Sequence, residues 1–181
     1  DYIRFEARKG QAFLIETEAR RRGSPVDTKI EVLTTDGKPV PRVILQAVRD
    51  SYVTFRSIDS GSLECRLFNW AEMELNEYLY LSGEVVKNFR KPRGPDSGFE
   101  FYQSAGKRRN YFDTSASGHA LDELAYIVEA HPVGAKLIYN GLPQFTLPYA
   151  NDDDALRLAG ADSKLLFTAP ADGAYVVRMS D

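Results

Sequence analysis

Apolar and polar residues alternate along the first thirty-five positions, and this period of two predicts β-strands rather than helices. Strands are expected over residues 2–6, 12–19 and 29–34. Short polar turns separate them, and an Asp36-Gly37 pair, a strong turn signal, follows the third strand. Because no helical period intervenes, the pattern indicates an antiparallel meander or a β-sandwich. The residues predicted to share one strand face are Phe13, Ile15 and Thr17 in the second strand and Ile30, Val32 and Thr34 in the third.

The end of the chain has the same alternation on both sides of a turn. Residues 164–168 and 174–179 are rich in β-branched and aromatic side chains, and Pro170, Asp172 and Gly173 lie between them. Pro170 cannot donate to a strand ladder, Asp172 can bond to its own local backbone, and Gly173 can take a positive φ. These features predict a tight β-hairpin.

The middle of the chain, residues 41–149, predicts many short strands and less regular structure. Strands are expected over 43–48, 52–55, 83–86, 99–102 and 126–129, and an extended segment over 142–149. Short helical segments are candidates at 70–77 and 119–124, a loop at 90–98 and a basic turn at 106–109.

Composition narrows the class of protein without identifying it. The 181 residues are 43% hydrophobic and 27% charged, as in ordinary globular proteins, and the net charge of −3 does not indicate a nucleic-acid binder as a whole. Cys65 is the single cysteine, so no intrachain disulfide can form, and we interpret it as a buried apolar residue. No apolar run approaches the ~20 residues of a transmembrane helix. The chain reads as part of a longer polypeptide.

The order of motifs at the two ends resembles one family. The first end has Asp1-Tyr-Ile-Arg-Phe, Lys9-Gly-Gln, Gly23-Ser-Pro-Val-Asp27 and Asp36-Gly37, and the last end has Asn151-Asp-Asp-Asp154, Asp162-Ser163 and Phe167-Thr-Ala-Pro-Ala-Asp-Gly-Ala-Tyr175. This order resembles the bacterial pre-peptidase C-terminal (PPC) domain, in the long-insert variety of large modular secreted proteins. The likeness covers about the first forty and last thirty residues, and roughly a hundred residues, 41–149, separate the two parts.

The resemblance implies a mainly β fold, an antiparallel jelly-roll-like β-sandwich formed by residues 1–40 and 150–181. Residues 41–149 are then an inserted β-rich subdomain or extra strands that extend the sandwich. The family implies a secreted, non-catalytic accessory module in the periplasm, outside the cell or at its surface, beside catalytic domains such as proteases. Its partners would be other domains of the same polypeptide and an extracellular polymer or protein. Relatives bind calcium.

A cluster of oxygen-bearing side chains makes calcium the candidate cofactor. Adjacent carboxylates repel one another unless water or a cation lies between them, and calcium takes six to eight oxygen ligands. A solvated turn, in which the Asp side chains cap backbone N–H groups, is the alternative. Asp27 joins the set if the sandwich brings its loop alongside. The predicted metal ligands are Asn151, Asp152, Asp153, Asp154, Asp162 and Asp27.

Three other features are weaker candidates. The basic stretch 87–109 alternates with aromatic residues and is a candidate polyanion site, although two solvated loops around a core strand explain it equally well. Its cations are Lys87, Arg90, Lys91, Arg93, Lys107, Arg108 and Arg109. His119 and His131 lack zinc-ligand spacing and are interpreted as structural. Five aromatic residues are interpreted as part of a core, with an aromatic ligand-binding platform as the alternative. They are Trp70, Tyr78, Tyr80, Tyr111 and Tyr139. If the insertion carries an activity or ligand site, a concave pocket with several polar groups is expected there.

Overall fold

The protein is mainly β, and its strands form antiparallel sheets. The computed structural model describes residues 1–56, 64–67, 73–81, 83–91, 99–100, 102–103, 107–108, 110–114, 123–154 and 162–181. Its strands are β1 Tyr2–Ala7, β2 Ala12–Glu16, β3 Lys29–Thr34, β4 Pro41–Arg56, β5 Glu64–Leu67, β6 Tyr78–Leu81, β7 Glu84–Lys87, β8 Phe99–Glu100, β9 Tyr102–Gln103, β10 Lys107–Arg108, β11 Glu123–His131, β12 Gln144–Pro148, β13 Ala150–Asn151, β14 Lys164–Thr168 and β15 Gly173–Ser180. A 3-10 helix, Arg20–Arg22, follows β2. Within these ranges no helix is long and apolar enough to span a membrane.

Two small sheets built from the chain ends pack as a sandwich. Strands β1, β15, β3 and β13 form one sheet in that order, and β2 pairs with β14 in a two-stranded ribbon. The alternation seen in the sequence is confirmed here, because Ile30 and Val32 are buried whereas Leu14 is 58% exposed. Of the two topologies that the sequence left open, the structure shows the sandwich. A meander requires consecutive strands to pair, and strands β1, β2 and β3 do not pair with one another.

The predicted C-terminal hairpin is wrong in its pairing. Strand β14 pairs with β2, and β15 pairs with β1 and β3, so the two arms belong to different sheets. The turn between them crosses from one layer to the other, and it is held by hydrogen bonds from Gly10 N to Ala169 O and from Ala169 N to Gln11 O. Asp172 does not serve its own turn, since its Oδ1 accepts a 2.6 Å hydrogen bond from Lys9 N.

The sandwich interior is an aromatic cluster centred on Phe167, which is fully buried. The Phe167 ring centroid lies 5.9 Å from that of Phe5, 6.3 Å from Phe13, 4.9 Å from Tyr149 and 5.1 Å from Tyr175. These residues lie within the first forty and last thirty-three positions of the chain. The division into 1–40 with 150–181 and an insertion 41–149 nevertheless stays a prediction, and Tyr149 of the predicted insertion shares this core.

The middle of the chain contributes a larger sheet. Its strand order is β7-β6-β11-β4-β5-β8, and β12 also pairs with β4. Apolar clusters cover both faces, because along β6 Leu79 and Leu81 join one cluster whereas Tyr78 and Tyr80 pack against the other. Strand β4 begins at Pro41 and runs unbroken to Arg56 as one strand, where two shorter strands were predicted.

Three local predictions in this region need correction or cannot be compared. The described part of the candidate helix at 70–77, residues 73–77, is loop and turn. The predicted basic turn at 106–109 contains β10, which pairs with β9. Leu124, the end of the candidate helical turn at 119–124, lies in strand β11, and residues 115–122 fall outside the described ranges.

Candidate functional site

A buried hydroxyl network brings together the loops that carry the predicted metal ligands. The hydroxyl oxygens of Thr17 and Thr28 lie 2.6 Å apart, and Ser163 N donates to Thr17 Oγ1 at 2.9 Å. The Ser163 hydroxyl donates to the backbone oxygen of Asp152 at 2.7 Å. Because Asp27 precedes Thr28, this network holds the Asp27 loop beside Asp152, which is the approach that the sequence left open.

Asp27 and Asp152 are close enough to influence each other electrostatically. Burial raises the pKa of the Asp152 carboxyl, the negative charge of Asp27 raises it further, and Lys29 acts in the opposite direction. The Asp27 backbone N–H donates to Asp181 Oδ1 at 3.2 Å, so a third carboxylate lies near the same loop. Asp27 is exposed and Asp152 is half-buried, and the two carboxylates form an acidic pair at this face of the sandwich.

Asn151 acts as a structural tie between three segments. It is 2% exposed, its Oδ1 accepts a 2.7 Å hydrogen bond from Lys164 N, and its Nδ2 donates to Asp113 O at 2.7 Å. Both ends of the amide are thus engaged with backbone groups. A cation could take Asn151 Oδ1 only in competition with the hydrogen bond from Lys164.

Asp162 holds the 3-10 helix rather than facing the acidic pair. Its fully buried carboxylate accepts hydrogen bonds from Arg20 N at 2.7 Å, Arg21 N at 3.1 Å and Arg21 Nε at 2.9 Å. Burial acts to raise the pKa of Asp162, but these hydrogen bonds outweigh it and hold that pKa below its ordinary value. Its partners make Asp162 a capping residue.

The remaining predicted ligands are Asp153, which is half-buried, and Asp154, which is 4% exposed. Each takes part in an interaction within the protein. Nowhere in the described ranges do three His, Cys, Asp or Glu side chains converge as a metal cluster. Of the six predicted residues, Asp27 and Asp152 therefore fit a cation best, and backbone oxygens and water would have to complete its coordination shell.

A cleft of about 180 Å³ lies next to this acidic pair. Its lining comes from β3, β12, β13 and the segments around residues 83 and 113, and consists of Lys29, Gly83, Asp113, Thr114, Leu147, Pro148, Ala150, Asn151 and Asp152. The cleft therefore joins the sandwich of the chain ends to the predicted insertion. No sequence pattern signals this cleft, because the polar residues of its wall are spread over more than 120 positions.

One wall of the cleft has an unusual backbone. Phe112 and Asp113 have positive φ values of 59° and 54°, a conformation that is rare for non-glycine residues. Asp113 forms an ion pair with Arg42, and the Arg42 guanidinium lies 5.4 Å from the ring centroid of Tyr149. These contacts, with the hydrogen bond from Asn151, fix the strained segment in place.

The basic stretch is partly engaged within the protein. Lys91 forms a 2.5 Å ion pair with Glu74, and Lys87 Nζ lies 5.8 Å from the Tyr78 ring centroid. Lys107 and Arg108 form β10, whereas Arg93 and Arg109 lie outside the described ranges. Polyanion binding stays a prediction.

The other weaker candidates differ in their surroundings where they are described. Tyr78 packs edge-on against Tyr111 at 5.2 Å, and Tyr80 stacks on Phe145 at 4.2 Å, so these tyrosines belong to the core. Tyr139 is 79% exposed. His131 Nε2 lies 3.7 Å from Glu129 Oε2. Trp70 and His119 fall outside the described ranges, as does the Cys65 side chain.

No protein-family model, curated protein or solved structure matches this chain. The arguments that follow therefore depend on the geometry of the described residues and on the sequence resemblance stated above.

Proposed function

We propose that this chain is a non-catalytic accessory module of a larger secreted bacterial protein, a β-sandwich that binds calcium through Asp27 and Asp152. The observation that carries the proposal is the hydrogen-bond network that joins the Asp27 and Asp152 loops, 125 positions apart in sequence, so that the charge of Asp27 acts on the Asp152 carboxyl. The module would act in binding or spacing, beside other domains of its own polypeptide and against an extracellular polymer or protein. The PPC resemblance supports this class and the extracellular or cell-surface location.

The electrostatics of the acidic pair favour a cation. A carboxylate that is partly buried beside a second carboxylate is destabilised in its ionised form, which is why the pKa of Asp152 is raised. A bound divalent cation would convert this repulsion into attraction. Calcium suits the site because it accepts carboxylate, backbone carbonyl and water oxygens in flexible geometry.

Calcium binding would stabilise the folded state by mass action. At ten times the dissociation constant, a ligand that binds only the native state adds about 1.4 kcal/mol to the free energy of unfolding. For a domain of this size that corresponds to a rise in Tm of roughly 3 to 6 °C. Extracellular calcium modules bind in the range of about 10⁻⁴ to 10⁻³ M, so calcium near 10 mM is a suitable test concentration.

Thermal unfolding in EDTA and in 10 mM calcium tests the proposal directly. We expect the wild type to gain several degrees in calcium and the Asp152→Asn variant to gain none. Asp162→Asn is the matched control, because it also removes one acidic charge but leaves the proposed ligands intact, so its calcium response should persist. If magnesium or added salt raises Tm as much as calcium does, the site is not a calcium site.

A second function, ligand binding at the junction with the insertion, is favoured by the cleft. The sequence argument required a concave pocket in the insertion lined by several polar groups. The cleft has five polar side chains in its wall, but only Asp113 and Thr114 belong to the insertion, so the ligand site is proposed at the junction. Polyanion binding through the basic stretch is a third candidate and has a simple test. Retention on heparin at low salt that is lost when Lys107 and Arg108 are changed to Ser would favour it, and failure to bind heparin at low salt would exclude it.

A further inference from the structure

The cleft beside the acidic pair contains two charged groups of opposite sign that are not paired. Lys29 and Asp152 both line it, and the positive charge of Lys29 acts on the Asp152 carboxyl. Within the described part of the chain, neither side chain forms a hydrogen bond or an ion pair, and the two do not reach each other. Opposite charges that share a cavity without contact leave room for a molecule between them.

The other polar groups of the cleft are already satisfied by the protein. Thr114 Oγ1 accepts a hydrogen bond from Val85 N at 2.8 Å and donates to Tyr111 O at 2.8 Å. Asp113 is paired with Arg42. The amide of Asn151 is bonded at both ends, as described above. These residues form a fixed wall, and Lys29 and Asp152 are the side chains left to bind a ligand.

The volume of the cleft limits the size of that ligand. Liquid water occupies about 30 Å³ per molecule, so a ligand that fills a cleft of about 180 Å³ displaces about six waters. Sites for drug-sized ligands begin near 300 Å³. The cleft therefore suits a molecule of several heavy atoms rather than a polymer segment or a nucleotide.

We propose that this cleft binds a small zwitterion of the amino-acid class, with its carboxylate on the Lys29 ammonium and its ammonium group on the Asp152 carboxylate. Asp27 adds negative charge on the ammonium side. The inference goes beyond the calcium proposal and does not require it. Both occupants use Asp152, so calcium and the zwitterion compete, and calcium lowers the apparent affinity of the cleft for its ligand.

Isothermal titration in EDTA with L-alanine and 4-aminobutyrate, which differ in the separation of their charges, tests the inference. We expect at least one to bind. For L-alanine the matched controls are L-lactate, which lacks the ammonium group, and isopropylamine, which lacks the carboxylate. Each should bind at least tenfold more weakly than L-alanine if L-alanine is the zwitterion bound. If neither zwitterion binds, or if lactate or isopropylamine binds as tightly as L-alanine, the inference is overturned.

The Lys29→Met variant separates this inference from the calcium proposal, because the two predict opposite changes. Removing the ammonium group should weaken zwitterion binding at least tenfold and strengthen calcium binding, since Lys29 repels a cation. Lys136→Met, which removes a positive charge away from the cleft, is the control and should change neither. If Lys29→Met leaves zwitterion binding unchanged, the cleft does not use Lys29 and the proposed mode is wrong, whatever the result for calcium.

Discussion

The core of the sandwich makes a quantitative prediction about Phe167. This side chain is fully buried and contacts aromatic rings from three parts of the chain, including Phe5 near the start and Tyr175 near the end. Truncation to alanine removes the ring and leaves a cavity that fixed neighbours on both layers cannot fill. Phe→Ala substitutions in such cores cost about 3 to 5 kcal/mol of unfolding free energy.

That cost should be visible in thermal unfolding. For a domain of 150 to 250 residues, each kcal/mol lowers Tm by about 2 to 4 °C, so we expect Phe167→Ala to lower Tm by roughly 6 to 20 °C. The adjacent Leu166 is the matched control, because it is 51% exposed and faces outward opposite Leu14. Leu166→Ala should cost less than about 1 kcal/mol, the scale of a cross-strand pair.

The comparison of Leu166 with Phe167 tests which face of β14 points into the core. If Leu166→Ala destabilises the protein as much as Phe167→Ala, the inward and outward faces of β14 are assigned wrongly. The packing of β14 against β1 and β15 would then be wrong as well. Circular dichroism at several denaturant concentrations would measure both variants on the same scale.

Three further outcomes follow from the site residues. Asp162→Asn replaces the carboxylate that caps the 3-10 helix with a neutral amide, which is a weaker acceptor. The backbone amides of Arg20 and Arg21 should therefore exchange faster in hydrogen–deuterium exchange, and unchanged rates would contradict the capping role of Asp162. The pKa of Asp152 is raised in the fold, so its ionised form is disfavoured. Wild type in EDTA should therefore lose stability relative to Asp152→Asn as pH rises from below the ordinary Asp pKa of about 3.9 to neutrality, and urea unfolding at pH 3.5 and 7 measures this. Asn151→Ala leaves two backbone groups without their partner, and at about 1 to 3 kcal/mol for each unsatisfied group it should cost about 2 to 6 kcal/mol in denaturant unfolding. A loss below about 1 kcal/mol would refute the structural role of Asn151.

Strand positions and faces could be predicted from the sequence because alternation is a local signal. The buried residues of β3 and the exposed Leu14 of β2 follow directly from the period of two. A turn signal is local as well, and the reversal between 168 and 173 is where Pro170 and Gly173 indicated it. The identity of each strand's partner is not local, and the hairpin prediction was wrong for that reason.

Two arms that are each amphipathic can satisfy their apolar faces in two ways. They can lie side by side in one sheet, or they can face each other across a core. Here the second arrangement places the ring centroids of Phe167 and Tyr175 5.1 Å apart. Each arm then pairs with strands from the start of the chain. Residues far away in sequence decide between the two, so neither turn chemistry nor periodicity could.

The candidate site shows the same limit. The Asn-Asp-Asp-Asp run at 151–154 was visible in the sequence, but the partners that decide the roles of its side chains were not. Asp162 is occupied by the backbone of the 3-10 helix, and Asn151 by Lys164 and Asp113. Asp27 was a conditional candidate, and the buried hydroxyl network now gives the physical reason why it lies beside Asp152.

Calcium titration by calorimetry is the most direct test of the central proposal. The wild-type protein is first stripped with EDTA and dialysed into metal-free buffer, and calcium is then titrated into it and into Asp152→Asn. The account predicts saturable binding of one calcium ion to the wild type, with a dissociation constant of about 10⁻⁴ to 10⁻³ M, and none to the variant. Binding that is equal in both proteins, or heat of dilution alone in the wild type, would contradict it.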